Sequence, residues 1–227
     1  MAQLVVLAIE TSQRKGGVAL RDASGAAHVE WVAEDLRHDD DLLPAIDRLY
    51  KRAELEPKAT DAVGVSIGPG GFTGLRIAVS TAKMLGEALG CKLIAVPSAL
   101  VAAGSYHGDG PIIVALASKA DTFWATRMAH VAGRWEPADE GQLTDASSLD
   151  LTDAKALIGD EYLPGTIRDT CTAANVPIIE PKFDPLACLE ATEQRLERGE
   201  ALDPLTLGPL YPRCPEAVLK WRGGGAG

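Results

Sequence analysis

"VLAIETSQRKGGVALRD" (Val6–Asp22) and "VALASKADTFWATRM" (Val114–Met128) share few residues, yet each reads as an apolar run, a short polar turn and a second strand. The run Leu4–Glu10 is continuous and rich in branched side chains, the pattern of a strand buried on both faces. "AHVEWVAE" then alternates as a third strand, and a further strand likewise follows the second hairpin. Next, "HDDDLLPAIDRLYKRAEL" puts Leu42, Leu43, Ile46, Leu49, Tyr50 and Ala53 on one helical face. Asp41 is the expected cap, with Pro44 in the first turn, where N–H groups lack intrahelical partners. "AVGVSIG" reads as a fourth strand, and a glycine stretch leads into a long helix. "KLIAVPS" is a fifth strand and "SALVAAGSY" a short helix. Beyond "HGDG" (His107–Gly110) the order starts again. There are helix-start signals in "GQLTDASSLDLTDAKALIG", a strand-like "VPIIE" and a helical "PLACLEATEQRLERGEAL".

This order predicts an internal duplication, with two related lobes that each open on three antiparallel strands. It is the layout of the two-lobed actin-like (ASKHA, ribonuclease-H-like) α/β fold, with duplicated mixed-sheet lobes flanked by helices. A single α/β domain is the alternative. The expected division is 1–108 for the first lobe and 109–222 for a smaller second lobe whose last segment packs back on the first. Residues 223–227, "GGGAG", are expected to be a disordered tail.

Composition narrows the function. The 227 residues are 46% hydrophobic and 24% charged, enough for a sizeable core. A net charge of −10 and only 5% aromatics weigh against a direct grip on nucleic acid, so a partner would have to hold any RNA. Cys91, Cys171, Cys188 and Cys214 form no C-x-x-C pair, which fits reduced thiols. No apolar run approaches the roughly eighteen residues of a membrane span, and the opening lacks a basic signal-peptide region. The expectation is a cytoplasmic chain.

"SIGPGGFTGLR" (Ser66–Arg76) has the look of a phosphate loop. It is not a Walker loop, since Leu75 and Arg76 follow Gly74. Gly68 and Gly70 fit a dinucleotide fingerprint, but Thr73 holds the place of the last glycine and Gly74 comes one late. Two readings stand level: a helix-N-terminal anion site capped by Thr73, and a strand-to-helix corner that needs glycine for its geometry. Glu10, Thr11 and Ser12 would supply the other half of an actin-like phosphate grip. The plainer reading of Glu10 is a strand-end carboxylate held by local hydrogen bonds. In the second lobe Ala117 stands where a carboxylate is wanted, which makes paired-carboxylate metal–ATP chemistry poor. Ser118 and Lys119 are adjacent in sequence and point to opposite faces, so they do not form a nucleophile and base. His28, His38, His107 and His130 fall in no metal-binding spacing, and no G-x-S-x-G elbow occurs.

The long helix is more informative. Arg76, Ser80, Lys83 and Glu87 form one polar stripe and the rest of the circumference is apolar, which implies burial on more than one side. Ala78, Ala82 and Gly86 would let another helix approach closely. That helix is either the neighbour within the lobe or one from a second protein.

At these residues the chain resembles the TsaB (YeaZ-like, glycoprotease-like) family. The resemblance rests on "LAIETS", "LLPAIDRLY", "GPGGFTGLRIAVSTAKMLGEALG" and "PLYPRCPEAVLKW". The family's G-P-G-S-F-T-G-[LV]-R differs here only at Gly71. Its C-terminal pattern appears as Pro209, Tyr211, Arg213, Ala217, Lys220 and Trp221, with Pro212 in place of leucine. The middle departs, with Ala117, Lys119 and Thr122 where the family carries an acid, an arginine and a glutamate. The resemblance implies a non-catalytic subunit that dimerises with the catalytic paralogue TsaD through first-lobe helices. TsaE supplies the ATPase of that complex, which transfers threonylcarbamoyl to the tRNA adenosine beside the anticodon. TsaD binds metal through paired histidines, whereas "RHDDDLLP" offers His38 alone. No metal or cofactor is expected, and Thr11, Ser12, Gly68, Gly70, Gly71, Thr73 and Gly74 become vestiges of nucleotide-type turns. The expected interface residues are Leu42, Leu43, Ile46, Leu49, Val79, Ala82 and Gly86, with self-pairing through the same surface when the chain is alone. The competing reading is an ATP-dependent kinase or hydrolase working in the interlobe cleft.

Overall fold

The computed structural model describes residues 3–33 and 38–212. Arg213, Cys214, Ala217, Lys220, Trp221 and the 223–227 tail lie outside the described residues, as does the side chain of His38.

The chain folds as two sheets of the same design. The first contains β1 (Val6–Glu10), β2 (Gly17–Arg21), β3 (Ala27–Trp31), β4 (Ala62–Gly68) and β5 (Lys92–Pro97), in the order β3-β2-β1-β4-β5. β1 to β3 are antiparallel, while β1, β4 and β5 run parallel. The second contains β6 (Ile112–Ala117), β7 (Phe123–Val131), β8 (Arg134–Pro137), β9 (Gln142–Thr144), β10 (Ala156–Ile158) and β11 (Ile178–Ile179). Its order, β8-β7-β6-β10-β11 with β9 on β7, repeats the first sheet strand for strand. The expected duplicated mixed-sheet fold is therefore present.

Among the described residues five α-helices complete the fold: α1 (His38–Arg52), α2 (Phe72–Leu89), α3 (Ser98–Ala103), α4 (Gly165–Ala173) and α5 (Pro185–Glu197). Alternation along the central strands explains the layering. Leu7 and Ile9 of β1 face α1 and α2 in one core cluster. Val6 and Ala8 face the middle layer of α3 and α5, which Ile112, Val114 and Leu116 of β6 meet from the other side. Ile113 and Ala115 turn the opposite way, toward α4. A central strand buried on both faces must be apolar at every position, which is why Leu4–Glu10 reads as a continuous run.

Two expectations are corrected. α1 starts at His38, so Asp41 lies inside it and is not the cap. The Asp41 carboxylate instead accepts the Ala33 N–H at 2.9 Å and both Arg48 Nη groups at 2.9 and 3.0 Å. The helix-start signals after Gly141 produce no helix there. Asp145 accepts the Ser147 and Ser148 N–H groups and Asp150 the Thr152 N–H, so local side-chain bonds close turns instead. The first helix of this half, α4, comes later, in "GTIRDTCTA".

After α5 the chain returns to the first lobe. Leu202 bridges to Leu93 of β5, Leu207 is buried among the first-lobe helices, and the Leu210 N–H donates to Ile67 O at 2.7 Å. At Leu210 this strap lies beside the glycine corner.

The glycine corner and the outer helical face

The corner between β4 and α2 is packed against the turn that follows β1. The Gly71 N–H donates to Ser12 O at 2.7 Å, and Thr11 Oγ1 donates to Gly74 O at 3.0 Å. A Cβ on Gly70 would lie 2.2 Å from Ser12 O, so only glycine lets the two turns meet. Thr11 and Ser12 are buried. α2 starts with Gly71 as its cap residue, and no side chain caps it. Thr73 therefore does not play the capping role expected of it, and it stands exposed in the first turn. Gly68, Gly70, Gly71 and Gly74 thus come together with Thr11 and Ser12, and backbone-to-backbone contact between two turns fills the space.

Glu10 is fully buried on the interlobe side and accepts the Ser12 N–H at 2.7 Å, the local capture expected of a strand-end carboxylate. Burial raises its pKa, against the opposing pull of the Ser12 N–H and of the nearby Ser12 and Ser66 hydroxyls. Ser66 pairs with Ser98 at 2.9 Å, and the Cys188 thiol of α5 faces Ile9 O at 3.7 Å. Sequence reasoning missed these partners, because β4, α3 and α5 are far apart in the chain and carry no motif there.

The matching turn of the second lobe is a surface turn. The Ser118 N–H donates to Thr122 O, and Thr122 Oγ1 donates to Lys119 O at 2.8 Å. Ala120 and Asp121 between them have φ of 56° and 55°. Ala117, Lys119 and Thr122 present no carboxylate toward Glu10. His28 pairs with Asp22, His130 with Asp109, and His107 is exposed. Among the described residues no cluster of His, Cys, Asp or Glu has the makings of a metal site. Nor is any described helix long and apolar enough to cross a membrane.

The burial of α1 and α2 sorts the expected interface residues. Leu42, Ile46, Leu49, Val79 and Ala82 lie in the core cluster beneath the helices. The close approach at Gly86 is to Leu93 of β5, whose side chain would sit 2.9 Å from an added Cβ. The small residues of α2 seat it on its own sheet and on α1. Leu43 is the exposed one of the set, at 49%. Met84 of α2 is 50% exposed, and Phe72, at 57%, carries Arg76 over one ring face and Tyr211 of the strap beside it at 5.4 Å. Arg76, Ser80 and Glu87 are exposed, as their polar stripe requires. Leu43, Phe72 and Met84 are therefore the large apolar side chains that the two helices expose, with Arg76 over the Phe72 ring. Phe72 and Met84 were legible only as helix positions, because periodicity alone does not say which side of an all-round apolar helix meets its own sheet.

Fold and corner together define a two-lobed actin-like protein with a closed glycine turn and an exposed outer helical pair. A family model described as "TsaD: tRNA N6-adenosine threonylcarbamoyltransferase" matches residues 9–138. The chain is 26% identical over 231 residues to the tRNA threonylcarbamoyladenosine biosynthesis protein TsaB of Bacillus subtilis, covering 96% of this chain and 98% of that one. It is 30% identical over 148 residues to the TsaB of Escherichia coli, covering 62% of this chain and 61% of the relative. YeaZ from Pseudomonas aeruginosa superposes with a TM-score of 0.77 over 92% of this chain and 100% of its own, at 22% identity, a likeness of fold. The chain belongs to the TsaB family, built on the domain that the TsaD model describes.

Proposed function

We propose that the chain is the non-catalytic scaffold and activator subunit of the tRNA adenosine threonylcarbamoyltransferase complex, and that it pairs with TsaD through the outer face of α1 and α2. The relatives' place in threonylcarbamoyladenosine biosynthesis supplies the pathway. The observation that carries the non-catalytic part is the interlobe pair of turns. Glu10 is buried behind Ser12 and the second turn offers Ala117, so no two carboxylates converge there. In this reading residues 1–108 are the partner-binding lobe, TsaE joins the complex, and tRNA is met through the complex only. The isolated chain pairs with itself through the same face, because exposed apolar side chains such as Leu43, Phe72 and Met84 favour being covered. The setting is the cytoplasm.

The test uses three substitutions on the neighbouring helices α1 and α2. Leu43→Asp should leave the chain folded, as judged by its thermal transition, and should abolish co-purification with TsaD. Ala82→Glu places a charge in the core cluster and should instead unfold the chain. Undiminished pairing by a Leu43→Asp, Met84→Glu double variant would remove this face from the reading. ATP turnover by the isolated chain that is lost on changing Thr11 would favour the enzyme reading.

A further inference from the structure

Glu10 is a buried titratable group for which partner binding has no use. Its Oε1 accepts the Ser12 N–H, while among the described residues Oε2 and Ser12 Oγ have no hydrogen-bond partner. Among the described residues the groups that face the carboxyl are uncharged: the hydroxyls of Ser12 and of Ser66 on β4, and the thiol of Cys188 on α5. An ionised carboxylate buried without a cation is among the costliest groups a fold can hold. The protonated acid instead brings one O–H donor to a site lined by the Ser12 and Ser66 hydroxyls.

The turn above this carboxyl is the one sewn to α2, through Ser12 O with the Gly71 N–H and Thr11 Oγ1 with Gly74 O. Ser12 joins the two, since its N–H is held by Glu10 Oε1 and its O by the Gly71 N–H, so a shift of this turn to hydrate an ionised Glu10 would strain the bonds to α2. We infer that Glu10 is a neutral acid that locks the β1 turn onto the glycine corner, and that its ionisation loosens the first turn of α2, where Phe72 and Arg76 stand. The consequence for partner pairing rests on the proposed function; the lock itself does not.

The test is a titration of the full chain from about pH 5 to pH 9, with the Glu10 Cδ followed by NMR and the exchange protection of the Gly71 amide measured alongside. Cδ is expected to keep its neutral-acid shift well above about pH 4.3, where a free glutamate titrates. Gly71 protection should fall as Glu10 ionises and should stay constant in Glu10→Gln. Pairing with TsaD should weaken several-fold toward the alkaline end for the wild type and be independent of pH for Glu10→Gln. An ordinary Cδ titration, or the same loss of Gly71 protection in Glu10→Gln, overturns the lock. If the glutamine variant does not fold, the wild-type Cδ titration decides. If Cδ and Gly71 behave as expected but TsaD never pairs at any pH, the partner reading fails and the lock stands.

Discussion

Gly70 shows how one residue type fixes the corner. Its missing Cβ is the space that Ser12 O occupies, and the donor of that bond is the next residue, Gly71. Gly70→Ala is expected to destabilise the chain by about 3 kcal/mol, since backbone rather than a flexible side chain blocks the methyl group. Thr11→Val should cost about 1 kcal/mol, the worth of one buried hydrogen bond. Urea unfolding of the two variants would read both values, and a neutral Gly70→Ala would mean the turns are not in contact. The glycines were legible as a turn, but the atom they make room for was not. Ser12 is distant in sequence and carries no signal that it supplies a carbonyl there.

Among the elements, α1 is tied to β3 by Arg48 and Arg52, which both pair with Glu30, and to the chain just after β3 by the Asp41 carboxylate. Asp41 is nearly buried, and the Arg48 guanidinium and the Ala33 N–H hold its pKa below the ordinary value. A depressed carboxylate stabilises the fold above its unfolded pKa of about 3.9 and loses that contribution as the pH falls through the folded value. Asp41→Asn should therefore cost about 1 to 2 kcal/mol at neutral pH and flatten the acid side of the stability profile. Glu10 has the opposite sign: its raised pKa makes stability fall as the pH rises from the unfolded value toward the folded one. Thermal unfolding across pH should show Asp41 governing the acid limb and Glu10 the alkaline one. α1, α2 and α5 were legible because each has a long periodic face. The second lobe has turns where the first has α1, and helix-start chemistry without an apolar face behind it misled the reading there.

For the whole molecule, the duplicated order of strands was the most legible property, because both lobes repeat one rhythm of strand, turn and strand. The strap was less so. Leu202, Leu207 and Leu210 show no period, and only their contacts with Leu93, the first-lobe core and Ile67 reveal their task. Leu207→Ala should lower stability by about 2 to 4 kcal/mol, as for other large-to-small changes in a core, and a urea midpoint that does not move would place the strap outside the cooperative unit.

The middle layer has a mechanical meaning. α3 belongs by chain order to the first lobe yet rests on β6 and β8, and α5 belongs to the second yet rests on β1 and β2. Each lobe thus holds a helix of the other, and prising the sheets apart means drawing a helix out of a shared core. The molecule has a clasp where a nucleotide-cycling machine would need a hinge. Amides of β1 and β6 should accordingly exchange with one common opening free energy, as parts of a single rigid body that a partner can push against.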